Sequence, residues 1–460
     1  MSKEVKVLLA SDAVITSNLG AEQYVDNQSG DFCSVLIDGV HHVVVKTIKK
    51  QTTEKVRALG GDIARQLAGQ KVEKATVAVE TLTAAFEELE DAAVVTAFVE
   101  GWHLGSYQFL TYKSDKKAFK TALHITGADA LQDAVKAGEV RAEGTSFSRD
   151  LMNEVSNVLN PETYPNVLKE KFADTDVKVH VFGKEKLEEM QMNGVLTVGR
   201  GSQYKPSFVE LVYEGDASKP LVALVGKGVT FDTGGISLKS GRDLSDMRMD
   251  MGGSAAVSGA MYLLAKMKAK VNVVALIPMV ENAPDNSSVY PGEVITYKNG
   301  KTVQVGNTDA EGRLILADGL IRAGEWNADY IVDIATLTGA IANALGTEVA
   351  GVFGDEELSH ELKKLGDENG DFVWPMPLVE AYDSSLSSDY ADMNNISTLS
   401  YGGSITAGLF LRRFVPENSK WLHVDMAGVM DKNKASGYYA KSATGYGARL
   451  LADFTTAVSK

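Results

Sequence analysis

The feature that most constrains the fold is an alternation. From residue 177 onward, short apolar runs with strand character are Val177 to Phe182, Ser207 to Tyr213, Leu221 to Val225, Val271 to Met279 and Tyr330 to Ile334. Segments with helical periodicity, such as Ser254 to Met267 and Leu314 to Ala323, lie between them. Continuous apolar strands are the mark of a sheet buried on both faces, and intervening helices supply the crossovers that parallel pairing needs. The expected architecture is a mixed, mostly parallel sheet covered by helices.

A shorter α/β pattern precedes it. Val5 to Leu9, Ser34 to Ile37, Val43 to Ile48 and Thr76 to Val79 look extended, whereas Glu54 to Gln66 and Ala92 to Phe109 have helical spacing. At 460 residues the chain exceeds what one core normally fills. Two domains are expected: an N-terminal α/β domain over residues 1–145 and a catalytic α/β domain over 146–460. A long helical pattern from Ala128 to Val158, interrupted near Gly138 and Gly144, bridges them. His41, His42, His103 and His124 are scattered in the first part without ligand-like partners, and read as structural or surface residues.

The chemistry concentrates further on. Asn307-Thr308-Asp309-Ala310-Glu311-Gly312-Arg313-Leu314 places two carboxylates and a guanidinium at alternate positions. In an extended segment these would point the same way and converge just before a helix, forming a site for cations and an anion. Upstream, the run Val225 to Lys239 carries Lys227, Asp232 and Lys239, and Asp250 follows in Met249-Asp250-Met251-Gly252-Gly253. A hydrolytic two-metal centre needs carboxylates that hold the ions together, and Asp232, Asp250, Asp309 and Glu311 are able to supply them. Any one of these residues alone is as well explained by a helix cap or a surface ion pair; their joint occurrence in glycine-flanked segments is what carries the argument.

Two alternatives fall away. Gly226-Lys227-Gly228 is not a phosphate-binding loop, because Leu221 stands where its first glycine belongs and Gly228 where serine or threonine should follow the lysine. His423, in the strand-like Trp421 to Met426, reads as a satisfied core histidine rather than a metal ligand.

Taken together, these segments resemble the leucyl aminopeptidase family, the two-metal cytosol aminopeptidases. Further similar blocks are Glu100 to Tyr107, Asp150 to Asn153, Asp333 to Ala340, Trp374 to Pro377, Ala391 to Asn395, Thr406 to Gly408 and Ala443 to Gly445. The resemblance covers about residues 100 to 455. It departs at Ile396 to Tyr401 and at Gly447, where many relatives have proline.

The resemblance implies a set of roles. Asp232 and Glu311 contact both of two divalent ions per subunit (Zn or Mn, with Mg and Co as alternatives). Lys227 and Asp250 hold the tighter ion, and Asp309 the more exchangeable one. Lysine ligates only as a neutral amine, a state favoured by a nearby dication and a dry pocket. Lys239 stabilises the oxyanion, Arg313 anchors a bicarbonate that acts as general base, and a hydroxide between the ions attacks. The Leu337 carbonyl accepts a hydrogen bond from substrate. Met247, Thr336, Gly339, Ala427 and Met430 line an apolar pocket for the N-terminal side chain, and Asn307 and Ala310 line the leaving-group side. The implied activity is removal of an N-terminal Leu, Met or other large apolar residue from peptides by a homohexamer.

Charge and composition agree. A net charge of -15 argues against a broad nucleic-acid footprint or an anionic membrane surface. Cys33 is the sole cysteine, which excludes an intrachain disulfide and a thiolate metal cluster. No apolar run approaches the ~20 residues needed to span a bilayer, and the chain reads as cytoplasmic, with no membrane partner.

Overall fold

The computed structural model describes residues 4–116, 118–241 and 243–460. The chain divides into two compact units. One runs to Glu143 and takes in Glu368–Gly370 and Lys432–Ser442; the other comprises Gly144–Asp367, Asp371–Asp431 and Ala443–Lys460.

The first unit holds a five-stranded sheet of β1 (Glu4–Leu9), β2 (Phe32–Ile37), β3 (Val40–Val45), β4 (Lys74–Ala78) and β5 (Ala122–Thr126), in the order β2-β3-β1-β4-β5. Only the β2/β3 pair is antiparallel. Val5, Val7, Val43, Val45, Ala75 and Val77 alternate inward and pack with Val56, Leu59, Ile63 and Phe98 of the helices Thr53–Gly69 and Asp91–Gly105. Two expected elements end early: β3 stops at Val45 rather than Ile48, and the helix expected to reach Phe109 stops at Gly105. There the Ser106 hydroxyl bonds the Trp102 carbonyl and closes the last turn.

The second unit is built on the sheet read from the alternation. Its strands are β6 (Lys178–Phe182), β7 (Ser207–Glu214), β8 (Leu221–Gly226), β9 (Gly228–Asp232), β10 (Asn272–Asn282), β13 (Tyr330–Ala335), β14 (Ala350–Gly354), β15 (Val373–Pro375) and β17 (Lys420–Asp425). The order is β15-β14-β17-β13-β8-β10-β7-β6, with β9 also pairing with β10. The pairs β17/β13, β13/β8, β8/β10, β9/β10 and β14/β15 are parallel, and β14/β17, β10/β7 and β7/β6 antiparallel, so the sheet is mixed and mostly parallel as expected. Its faces are covered by the helices Gly252–Lys266 and Gly312–Glu325, whose long buried stretches explain the apolar runs. A small separate sheet joins β11 (Val294–Thr296), β12 (Thr302–Gln304) and β16 (Met393–Asn394).

The long helical pattern is one helix, Gln132–Asn153, preceded by a 3-10 turn at Asp129–Leu131. It is not interrupted at its glycines. A Cβ on Gly138 would lie 2.6 Å from the Thr96 carbonyl oxygen, and one on Gly144 3.0 Å from that of Gly259, so these glycines serve close helix contact.

Candidate metal centre

Parallel strands deliver their following residues to one edge of a sheet, and loops leaving that edge are where α/β proteins place their sites. Lys227 follows β8, Asp232 ends β9, Thr336 follows β13 and Asp425 ends β17. Lys227 is held on both sides by its backbone, donating to the Ile334 carbonyl (3.1 Å) and accepting from Ser254 N–H (2.8 Å). A Cβ on Gly312 would stand 2.6 Å from Lys227 Cε, so the glycine leaves room for the lysine side chain.

The Lys227 ammonium donates to Asp250 Oδ1 (2.8 Å) and to the Thr336 carbonyl (2.9 Å), and lies 3.0 Å from Glu311 Oε1. Asp250 Oδ1 also accepts from the Thr336 hydroxyl (2.8 Å). Lys239 sits between Asp232 Oδ2 (2.6 Å) and Asp309 Oδ1 (2.5 Å). Carboxylate oxygens of Asp232, Asp309 and Glu311 lie within 4.8 Å of one another.

The expected convergence of Asp309 and Glu311 is present, but its cause is not an extended strand. Asn307 Oδ1 accepts from Asp309 N–H (2.8 Å), which folds the segment into a turn. Glu311 has helical dihedrals at the N-cap of Gly312–Glu325, so Arg313 lies inside the first helical turn. Its Nη1 donates to the Asn395 carbonyl (2.9 Å), while its buried Nε has no hydrogen-bond partner among the described residues.

The electrostatics of the metal-free protein follow from burial and crowding. Burial, then the neighbouring Asp232, raises Glu311 to about 8; burial raises Asp250 to about 6 against the pull of Lys227. Burial disfavours the Lys227 ammonium, yet Asp250, Glu311 and Asp232 together outweigh it and hold its pKa above the ordinary lysine value. Burial likewise opposes charge on Lys239, and Asp232 and Asp309 reverse the balance. Burial lowers Arg313 to about 10.

Four carboxylic acids crowd two lysines in a largely buried site, and the raised Glu311 and Asp250 pKa values express that excess of acidic groups. Among the described residues, the buried Glu311 Oε2 accepts no hydrogen bond, while Asp250 Oδ2 and Asp309 Oδ1 lie within ion-pair range of a lysine without an aligned hydrogen bond. An orphaned buried carboxylate oxygen in a set of hard donors fits a divalent cation.

Some of the residues expected to line the substrate site are connected to this cluster and others are not. Thr336 is part of it; Met247 accepts the Asp250 N–H (3.3 Å) on its carbonyl; Leu337 and Ala427 are half-buried and joined through Asp425. Asn307 and Ala310 are joined by the Asn395 amide, which donates to both carbonyls (2.7 and 3.3 Å). Gly339 is exposed at the start of the helix Gly339–Leu345, and Met430 is half-buried beyond β17; among the described residues neither hydrogen-bonds the carboxylate cluster. His423 is fully buried with Nδ1 2.5 Å from Asp333 Oδ1, while its Nε2 has no partner among the described residues, so the expected core histidine is satisfied on one side only.

Sequence reasoning missed Asn282 and did not assign a role to Asn395 or Asp425. Asn282 Nδ2 donates to Asp232 Oδ1 (2.8 Å) and to the Thr308 carbonyl (3.0 Å), tying the two metal-site segments together. Its signal was its place at the end of a buried strand, Asn272–Asn282, where a polar residue needs a partner.

Two family models match the chain: the cytosol aminopeptidase family catalytic domain over residues 146–452 and the N-terminal domain of the same family over 48–116. A protein of Persephonella marina named "probable cytosol aminopeptidase" is 36% identical over 450 residues, covering 95% of this chain and 90% of its own. A Rickettsia canadensis protein of the same name is 39% identical, covering 93% and 86%. The solved structure described as bottromycin maturation enzyme BotP in complex with Mn superposes with a TM-score of 0.91 at 29% identity, covering the whole of both chains. No helix among the described residues is long and apolar enough to cross a membrane. The chain belongs to the cytosol aminopeptidase family and is a metal-dependent aminopeptidase, a metallo-exopeptidase acting on peptides.

Proposed function

We propose that this aminopeptidase removes an unblocked N-terminal leucine, methionine or other large apolar residue, using two divalent ions held by Lys227, Asp232, Asp250, Asp309 and Glu311. The observation that carries the reading is the unpartnered, buried Glu311 Oε2 beside Asp232 and Asp309. Zn and Mn suit such an oxygen-rich set, and Mg or Co are alternatives. When bound, the ions hold the free amine, polarise the scissile carbonyl and lower the pKa of the attacking water.

The chain's own residues do the rest. In the metal-free protein Asp250, Glu311 and Asp232 favour the Lys227 ammonium; as a ligand it would have to be the neutral amine, a state that a dication beside it would favour. Lys239, held between Asp232 and Asp309, stays cationic and stabilises the oxyanion that develops on the substrate. Arg313 keeps its Nε free of protein partners, which suits it to anchor a bicarbonate that takes the proton from water. Met247, Thr336, Gly339, Ala427 and Met430 line the pocket for the N-terminal side chain, the Leu337 carbonyl receives a substrate N–H, and Asn307 and Ala310 face the leaving group. Methionine in such a lining adapts to unbranched and branched apolar side chains. The subunits form a homohexamer in the cytoplasm.

Release of leucine from a leucine anilide, with and without chelator and after readdition of Mn, Zn, Co or Mg, tests the reading. Loss on chelation and recovery with metal is the expected result. Undiminished release by protein shown to be metal-free by elemental analysis would overturn it.

A further inference from the structure

The buried face of β17, where Trp421 and His423 both bond the Asp333 carboxylate, ends in a second carboxylate with no place in the chemistry described above. Asp425 is fully buried. Its Oδ1 accepts from Leu337 N–H (3.2 Å), Thr338 N–H (3.3 Å) and Ala427 N–H (3.3 Å), and its Oδ2 accepts from the Thr338 hydroxyl (2.6 Å). Four donors on one buried carboxylate satisfy it and fix the relative position of two loops, one leaving β13 and one leaving β17. The pairing of those strands ends in the register Ala335 opposite Asp425, where Met426 N–H donates to the Ala335 carbonyl (2.8 Å), and past that bond the Asp425 side chain is what links the Leu337 and Thr338 backbones to β17.

What those loops carry gives the contact its consequence. The first bears Thr336, whose hydroxyl and carbonyl engage Asp250 and Lys227, followed by Leu337; the second bears Ala427 and leads to Met430. The Thr338 hydroxyl that donates to Asp425 also accepts from Ile341 N–H (3.2 Å), which caps the helix begun by Gly339. One carboxylate therefore connects both loops and the start of that helix.

We infer that Asp425 is a positioning residue that sets the width of the side-chain pocket by clamping the Leu337 and Ala427 backbones together, and thereby determines which N-terminal residues are accepted. The inference rests on the assignment of Leu337, Gly339, Ala427 and Met430 to the substrate side. The residue touches no reacting atom; it acts through the loops.

The test compares the full-length metal-loaded enzyme with Asp425→Asn, which keeps the shape but exchanges an acceptor for a donor facing the Thr338 hydroxyl. Thr338→Val removes only that hydroxyl, and Thr338→Ser restores it. Two readouts are taken: amide hydrogen exchange in peptides spanning residues 336–340 and 426–430, and kcat/KM for leucine, methionine, alanine and glycine anilides. Asp425→Asn is expected to speed exchange in both segments and to lower the leucine-to-glycine ratio of kcat/KM by about an order of magnitude, the scale of discrimination a hydrophobic pocket supplies. Thr338→Val shifts the ratio in the same direction by less, and Thr338→Ser returns it toward wild type. Unchanged exchange overturns the clamp, and faster exchange with all four substrates slowed equally overturns its role in specificity. Failure of the pocket assignment itself is seen separately, in wild-type enzyme that treats leucine and glycine anilides alike, and it removes the specificity inference with it.

Discussion

Lys227 Nζ lies 3.0 Å from Glu311 Oε1, while the other oxygen of the same carboxylate is buried without a partner. One half of Glu311 is thus compensated by Lys227, and the other half has no hydrogen-bond partner among the described residues. The asymmetry has a thermodynamic consequence, because Asp250 and Glu311 hold protons in the metal-free protein that they would not hold in water.

The first prediction concerns pH. Both folded pKa values, about 6 for Asp250 and about 8 for Glu311, lie above the ordinary carboxylate range. The folded state therefore binds more protons than the unfolded one, and this contribution to stability is lost as pH rises through those values. A metal ion must displace the same protons, so its affinity rises over that window. A ligand at a hundred times its Kd stabilises by about 2.7 kcal/mol. The Mn- or Zn-induced rise in Tm should be larger at pH near 8.5 than near 6, and calorimetry in buffers of different ionisation enthalpy should detect proton release. An equal rise at both pH values would show that these carboxylates are already ionised without metal.

A second prediction separates ligands from the oxyanion stabiliser. Asp250→Ala and Glu311→Ala should lose activity together with bound metal, measured by elemental analysis after gel filtration. Lys239→Ala should keep metal and lose turnover, at a cost of about 2.7 to 4 kcal/mol in transition-state stabilisation. Metal-free Lys239→Ala protein with a native circular dichroism spectrum would mean that its contacts with Asp232 and Asp309 serve chiefly to build the site.

Much of this was legible in the sequence, and the parts that were not have a common cause. The buried strands β7, β8, β10 and β13 announced themselves because a strand covered on both faces is apolar throughout. The local course of residues 307–313 was misread, because alternation of charged residues suggests a strand, whereas one side-chain hydrogen bond from Asp309 N–H to Asn307 turns the chain. The glycines of Gln132–Asn153 looked like breaks because close helix packing is set by residues far away in sequence. Asn282, Asn395 and Asp425 escaped assignment for the same reason: apart from the local Ala427 N–H on Asp425, the partners named here lie 26 to 89 positions away, and polar residues at strand ends are common without such partners.

Asn282 gives the third prediction. Its amide is the only described hydrogen-bonding link from Asp232 to the Thr308 backbone, and residues that orient metal ligands typically contribute about 10- to 100-fold in metal affinity. Asn282→Ala should weaken metal binding within that range while leaving kcat at saturating metal less affected. Asn282→Asp should be worse at neutral pH, since it places another carboxylate against Asp232. Titration of apo-protein with Mn, followed by activity, measures both. Unaltered metal affinity in Asn282→Ala would mean that Asp232 is held well enough by Gly234 N–H and Lys239 alone.

The last prediction concerns Arg313, whose Nη1 is fixed by the Asn395 carbonyl and whose Nε is buried and unpartnered. A guanidinium tied at one corner presents its remaining donors in a set direction, which suits a planar oxyanion that must sit beside the attacking water. Arg313→Ala should retain metal and bind substrate with little change in KM, yet turn over slowly. Arg313→Lys should also be impaired, because an ammonium cannot reproduce the fork. Asn395 stabilises this arrangement twice, since its side-chain Oδ1 accepts from Gly306 and Asn307 N–H (2.8 and 3.2 Å) while its backbone oxygen aims the arginine. Bicarbonate added to carbonate-depleted buffer should raise the rate of the wild type and raise that of both Arg313 variants proportionally less. Equal proportional stimulation of wild type and Arg313→Ala would place the anion elsewhere and remove the general-base assignment, while leaving the metal centre untouched.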